Sequence, residues 1–138
     1  MTTPLVDNLH RDDRGDALDL DLDVITLAQA RAQVRELLAA LQGELLEDAV
    51  QVFDELASNA HRHGQPPRRA RVSLRRRRLR IEVDDTGPGR PHPRTPDRAG
   101  GRGLILIECL ATAWATIRHH GHKTVWAEIE LDRSGHRA

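Results

Sequence analysis

Three short clusters in this 138-residue chain have the residue types and spacing that binding or catalysis requires. In the first cluster Glu55 and Asn59 are four residues apart, and His63 follows after four more. Residues at this spacing lie on one face of an α-helix, one turn above another. A carboxylate and an amide oxygen placed in this way can hold a hard cation, or a water molecule that needs a base. From the spacing alone, a solvated helix face is the simpler interpretation.

The second cluster is the run of carboxylates and glycines DDTGPG at residues 84–89, directly after an apolar stretch over residues 79–83. A strand that ends in this way places an acceptor at the rim of a sheet, where the glycines allow a ligand to approach the backbone closely. A plain turn explains the same residues equally well.

The third cluster is GGRG at residues 100–103, which opens directly into an apolar stretch with helical character over residues 104–113. Exposed amides at a helix N-terminus form an anion site together with the helix dipole, and glycines let a phosphate approach. Arg102 adds a side-chain donor. The cluster is neither a Walker A loop nor a dinucleotide fingerprint, and a cap or hinge is the alternative.

The apolar pattern predicts the elements that must position these clusters. Alternation over residues 18–24 predicts a strand, and helical spacing predicts helices from Leu27 to near Gly43 and over residues 44–63, the second ending at Gly64. Further predicted elements are strands over 70–74, 79–83, 114–118 and 124–131, with a helix over 104–113.

The order of these elements is β-α-α-β-β-loop-α-β-β. It predicts an α/β two-layer sandwich with a mixed, mostly antiparallel sheet and helices on one face. The predicted domain covers residues 16–132, between disordered tails at 1–15 and 133–138.

Composition excludes several classes of function. The chain has 21 basic and 21 acidic residues, so no net field attracts it to DNA or to an anionic membrane. Its aromatic residues, Phe53, Trp114 and Trp126, are too few for stacking nucleic-acid bases. The only cysteine, Cys109, excludes an internal disulfide and is expected to be a buried apolar residue. No apolar run is long enough to span a bilayer or to act as a secretory signal, which predicts a cytoplasmic protein.

Arginines at 75–78 form the one strongly basic run. The preferred interpretation is a solvated hairpin. Contact with nucleic-acid phosphates and the steering of an acidic protein partner are the alternatives.

Taken together and in this order, the three clusters resemble the nucleotide site of the GHKL ATPases, which have the Bergerat fold. The resemblance covers about residues 17–131. The stretches ELASNAHRHGQPP, VDDTGPG, GGRGLILIECLATAW and HKTVWAEIEL look most like the stand-alone anti-sigma-factor serine kinases of actinobacteria. This resemblance implies ATP and Mg²⁺ as cofactors, and a sigma factor and an anti-anti-sigma (STAS-type) protein as partners. Homodimerisation is common in the family.

The resemblance also implies roles for the matching residues of the first two clusters. Glu55 matches the general base that accepts the proton of a partner serine, and Asn59 matches the asparagine that holds Mg²⁺. Asp85 matches the aspartate that accepts a hydrogen bond from the adenine amine. Gly87 and Gly89 match the glycines that let the base lie against the backbone.

The third cluster and a late strand complete the implied site. Gly101 and Gly103 match the glycines whose amides meet the phosphates, and Thr124 matches the threonine that closes the adenine pocket through its hydroxyl. Residues 90–99 match the lid. The remaining members of the predicted nucleotide-binding set are Arg98, Arg102, His63 and Leu104, and either arginine can reach the terminal phosphate.

Two departures from the family pattern leave alternatives open. Asp84 precedes Asp85, so either aspartate can make the adenine contact. Lys123 stands where a small residue is more common, which leaves the width of the pocket open. The predicted function is therefore an anti-sigma-factor serine kinase, and the alternative is a non-catalytic partner-switching module with or without bound nucleotide.

Overall fold

The computed structural model describes residues 9–12, 15–41, 43–87 and 101–131. Within these residues, six strands form one sheet and three helices accompany it. In chain order the elements are β1 (Leu9–Asp12), β2 (Gly15–Asp21), α1 (Leu27–Leu37), α2 (Gly43–His63), β3 (Arg69–Arg75), β4 (Arg78–Asp85), α3 (Gly101–Leu110), β5 (Ala113–Arg118) and β6 (Lys123–Glu130).

The strand order in the sheet is β1-β2-β3-β4-β6-β5, and each described pair is antiparallel. The predicted two-layer α/β sandwich is confirmed. The sheet differs from the prediction because the strands described here form no parallel pair. Short connections join β1 to β2, β3 to β4 and β5 to β6 as antiparallel pairs, and α1 and α2 return the chain from β2 to β3. The neighbour of β4 on its other side is β6 rather than β5.

The core lies between one face of the sheet and the helices. Along β4 the residues Leu79, Ile81 and Val83 are buried, and the intervening Arg80 and Glu82 lie on the opposite face. The period of two is what a strand with one covered face requires. Phe53 of α2 is fully buried against this layer. The same alternation places Asp85, the last residue of β4, on the buried face of the strand.

The beginning of the chain corrects two predictions. Leu9–Asp12 forms an edge strand paired with β2, so part of the predicted tail over residues 1–15 belongs to the sheet. Strand β2 ends at Asp21, three residues earlier than predicted, because the Asp21 side chain accepts a hydrogen bond from the Asp23 amide at 3.0 Å and turns the chain. Val24, which lies beyond this turn, is 76 % exposed and does not continue the buried side of the strand.

The helices differ from their predicted bounds mainly at their ends. Thr26 and Gln29 form a capping box at the start of α1, but the helix stops at Leu37, and the following turn still buries Leu38. Helix α3 is shifted three residues toward the N-terminus of its predicted range, and Cys109 on it is exposed rather than buried. Among the described residues, no helix is long and apolar enough to cross a membrane.

Candidate nucleotide-binding site

The row of polar residues predicted from the sequence lies on α2, at the border between the core and solvent. Glu55 and Asn59 are partly buried, and His63 in the last turn is exposed. Leu56 and Ala60 on the same helix are buried. The helix therefore has one apolar side that packs on the sheet and one polar side. The prediction that Glu55, Asn59 and His63 fall in one helix is confirmed.

The C-terminal end of α2 is held by the side chain of Arg68. Its Nε donates to the carbonyl oxygen of Ala60 at 2.9 Å, and its Nη2 donates to that of Gly64 at 3.1 Å. Its Nη1 and its backbone amide donate to the two carboxylate oxygens of Asp23, each at 2.8 Å. The bond to Gly64 satisfies a carbonyl beyond the last turn of the helix, and the carbonyl of Ala60, which also accepts from the Gly64 amide at 3.0 Å, gains a second donor. These bonds fix the position of Gly64 relative to the sheet.

This clamp predicts an acid-dependent loss of stability. Burial opposes ionisation of Asp23, but hydrogen bonds from Arg68 and the charges of Arg68 and His61 outweigh it, so the pKa lies below the ordinary 3.8. A carboxylate with a lowered pKa contributes its full stability above the unfolded-state pKa of about 3.9 and loses it as the pH falls through the folded value. We expect Asp23→Asn to lower the free energy of unfolding by about 1 kcal/mol at pH 6, and by much less at about pH 2.

Urea unfolding of both proteins across this pH range measures the difference. Asp19→Asn is the matched control, because Asp19 makes an exposed ion pair with Arg71, and such pairs contribute little. A constant difference between Asp23→Asn and the unchanged protein at all pH values contradicts the prediction.

The Asp85 carboxylate lies at the end of β4, buried between two glycines. Its Oδ1 accepts a hydrogen bond from the Gly87 amide at 2.7 Å. A Cβ added to Gly64 lies 2.4 Å from Cγ of Asp85, and one added to Gly87 lies 2.8 Å from Cα of Gly64. Only glycine permits so close an approach of two backbones to one carboxylate. Gly64, which the sequence pattern identified only as a helix stop, is a site residue that sequence reasoning missed.

Lys123 is buried directly beside Asp85. Its Nζ is 3.6 Å from Oδ1 of Asp85, and each of the two side chains is 4 % exposed. The residues are register partners on β4 and β6. Sequence reasoning treated Lys123 only as a bulky residue. The available signal was composition, because Lys123 is the only lysine in a chain whose other basic residues are arginines.

Thr124 lies on the opposite face of the sheet from Asp85, and the predicted role of its hydroxyl in closing an adenine pocket stays a prediction. Its hydroxyl donates to Oδ1 of Asp84 at 2.6 Å and is 2.9 Å from Nε2 of His119. Successive residues of a strand point to opposite faces, so the Asp84–Thr124 pair and the Asp85–Lys123 pair cannot share one side. Of the two aspartates, Asp85 is therefore the one that faces α2.

Gly101 and Gly103 of the third cluster lie in the first turn of α3, which begins at Gly101. The first amides of a helix have no intrahelical partner, so the backbones of Gly101 and Gly103 offer donors there. Gly89, Arg98 and the predicted lid over 90–99 lie outside the described residues. The side chains of Arg102 and Leu104 also lie outside the described part of the structure.

A comparison with protein-family models identifies a family that has this order of helices and strands. The model for the Histidine kinase-like ATPase domain matches residues 20–129 of the chain. The chain belongs to this family. The resemblance to the GHKL ATPases is thereby confirmed. There is no significant match among curated protein sequences.

Solved structures of other proteins share the fold of this histidine kinase-like ATPase domain. The RsbU and RsbW domains of Rv1364c from Mycobacterium tuberculosis match at 23 % identity and a TM-score of 0.62, covering 85 % of this chain and 33 % of that one. The histidine kinase domain of the Erythrobacter litoralis EL346 blue-light activated histidine kinase matches at 19 % identity and a TM-score of 0.53, covering 76 % of this chain and 59 % of that one. The Acinetobacter baumannii histidine kinase AdeS matches at 14 % identity and a TM-score of 0.52, covering 87 % of this chain and 70 % of that one. The chain thus spans about a third of the Mycobacterium chain that contains the RsbU and RsbW domains.

The residues of this histidine kinase-like ATPase domain fit Mg²⁺ together with a nucleotide. The side-chain oxygen of Asn59 accepts a hydrogen bond from Nη2 of Arg62 at 2.7 Å. Arg62 is exposed, so it can move away without opening the core. An amide oxygen is the hard ligand that Mg²⁺ prefers. Among the described residues no three His, Cys, Asp or Glu side chains converge on one point, and Mg²⁺ commonly takes its other ligands from phosphates and water.

Proposed function

We propose that this protein binds Mg-ATP and transfers the γ-phosphoryl group to a serine of an anti-anti-sigma (STAS-type) protein, and that it also sequesters a sigma factor. The observation that carries the proposal is the buried Asp85 carboxylate, held against the backbones of Gly64 and Gly87 at the end of the helix with Glu55 and Asn59. A buried acceptor at a close backbone approach suits the exocyclic amine of a flat base. The likeness in fold to the RsbW domain of Rv1364c supports this branch of the family.

The protein's part in this reaction is positioning and charge stabilisation. Asn59 would hold Mg²⁺, and the ion would supply charge neutralisation at the phosphate oxygens. The amides of Gly101 and Gly103 would donate to those oxygens. Glu55 accepts the proton of the partner's serine while the serine oxygen bonds to the γ-phosphorus. The bond from that phosphorus to the β–γ bridging oxygen breaks, and ADP leaves.

Glu55→Gln tests the proposed base. A carboxamide keeps the size of the side chain but cannot accept the proton, so we expect phosphate transfer to fall at least about 100-fold. ATP affinity is expected to change by less than about twofold, because the proposed base acts on the serine of the partner and not on the nucleotide. The measurement is transfer of label from γ-labelled ATP to serine of candidate STAS proteins.

Glu44→Gln is the matched control, since Glu44 is exposed in the first turn of the same helix. It is expected to leave both transfer and affinity unchanged. Transfer that persists in Glu55→Gln shows that Glu55 is not the base.

A non-catalytic partner-switching module is the second candidate, and the Lys123–Asp85 ion pair favours it. Oδ1 of Asp85 already faces two donors, the Gly87 amide and the Lys123 ammonium, so an adenine amine has to compete with a buried cation. Such a protein holds its partners with nucleotide as a structural ligand or with none.

Thermal unfolding with and without Mg-ATP, together with the labelling assay, distinguishes the kinase from the non-catalytic module. Ligand at about 100 times its Kd adds about 2.7 kcal/mol of stability. A stability gain together with labelled serine supports the kinase, and a gain without labelled serine supports the module with structural nucleotide. No gain contradicts the kinase.

A further inference from the structure

A groove of about 1150 Å³ lies at the hairpin that joins β3 to β4. It is at the opposite end of β4 from Asp85. Because a strand rises about 3.3 Å per residue, the seven steps from Arg78 to Asp85 separate the two places by about 23 Å. The basic lining of the groove is Arg75–Arg78 with Arg80, and its apolar lining is Ala40, Leu41, Leu74 and Leu131. We call it the arginine groove.

The acidic residues of the arginine groove are already neutralised by two of its arginines. Arg78 pairs with Glu130 at 2.9 Å, and Arg80 pairs with Glu128 at 2.8 Å. Arg80 also stacks on Trp126, with its guanidinium carbon 4.4 Å from the ring centre. These contacts hold the two arginines in place. Arg75 and Arg76 of the lining take no part in these pairs, so the groove keeps a positive charge.

Arg75 and Arg76 carry that excess charge at the tip of the hairpin. Both are exposed, and neither pairs with a carboxylate among the described residues. Arg76 has a φ of 57°, a left-handed conformation that glycine or asparagine adopts at lower cost in a hairpin turn.

We propose that the arginine groove binds an acidic segment of a partner protein in which an apolar side chain stands among the carboxylates. The guanidinium groups of Arg75 and Arg76 match carboxylates bidentately, and the leucines of the lining accept the apolar side chain. Nucleic acid is the poorer occupant, because its phosphate backbone has no apolar side chain for the leucines of the lining and the chain has no net charge. This inference does not depend on the proposed kinase activity.

Fluorescence anisotropy with a labelled peptide of the repeating type Glu-Glu-Leu tests the proposal on the full chain. We expect binding at low ionic strength that weakens at least about 10-fold between roughly 0.03 and 0.3 M salt, since exposed charges are screened over that range. R75E/R76E is expected to weaken binding at least about 10-fold. R75K/R76K retains the positive charge, and its affinity for the peptide is expected to fall by less than about threefold.

The control for charge reversal is R118E, because Arg118 is exposed at the Lys123 end of the sheet. It is expected to bind the peptide as the unchanged protein does. Thermal unfolding checks that each variant is folded. The proposal is overturned if the peptide does not bind at low salt, if R118E loses as much affinity as R75E/R76E, or if a DNA duplex binds the groove more tightly than the peptide.

Discussion

Asp85→Asn is expected to lose nucleotide binding and to destabilise the fold, whereas Asp84→Asn is expected to do neither. The Asp85 carboxylate accepts from the Gly87 amide and faces the Lys123 ammonium, whereas Asp84 lies on the other face with Thr124. A hydrogen bond to a charged acceptor contributes about 1.5–3 kcal/mol, so affinity for Mg-ATP should fall roughly 10- to 150-fold. Isothermal titration calorimetry measures the affinity.

The loss of stability has a separate cause in the same substitution. An asparagine removes the carboxylate charge beside the buried Lys123 ammonium, and breaking a buried ion pair costs about 3–5 kcal/mol. The double variant Asp85→Asn with Lys123→Met removes the buried ammonium as well while keeping an apolar stem of similar length. We expect it to regain most of the stability, measured by urea unfolding, without regaining Mg-ATP affinity.

These variants also decide between the two aspartates. If Asp84→Asn loses affinity and Asp85→Asn retains it, the adenine contact is made by the neighbouring carboxylate and the site is on the open face of the sheet. If both retain affinity, the nucleotide site is elsewhere.

Among glycine-to-alanine substitutions in the described part of the chain, Gly64→Ala is expected to be the most destabilising. The new Cβ lies 2.4 Å from Cγ of Asp85 and 2.7 Å from the carbonyl oxygen of Ala60. Neither neighbour can retreat easily, because the carboxylate is held by Gly87 and Lys123 and the carbonyl by Arg68. Overpacking of this kind costs about 3 kcal/mol, which corresponds to a fall in Tm of roughly 10 °C.

Differential scanning calorimetry measures the change in Tm, and Gln65→Ala is the matched control. Gln65 is exposed, and it bonds to Thr86 through its backbone carbonyl, so loss of its side chain is expected to shift Tm by less than about 2 °C. A Gly64→Ala protein with an unchanged Tm means that α2 and β4 are farther apart than the contact with Asp85 requires. Because the same Cβ displaces the carboxylate, Mg-ATP affinity is also expected to fall.

The sequence by itself determined the elements and the family. Periods of two and of 3.6 residues are local properties, so the helix with Glu55 and Asn59 and the strand that ends at Asp85 were predicted within a few residues of their bounds. The spacing of the three clusters along the chain was enough for the family resemblance. Ends of elements were less well predicted, as at Asp21, where a side chain of the turn stops the strand before the apolar pattern does.

Only the tertiary structure decided which residues meet at the site. A shift of one residue in register turns every side chain of a strand to the other face, and the pairing of β4 with β6 joins residues about 40 positions apart in the chain. That pairing placed Lys123 beside Asp85 and turned Thr124 away. Gly64 gained its role in the same way, because its contact with Asp85 depends on where the end of α2 comes to rest on the sheet. Local pattern carries no information on such contacts, since they are set by the packing of elements distant in sequence.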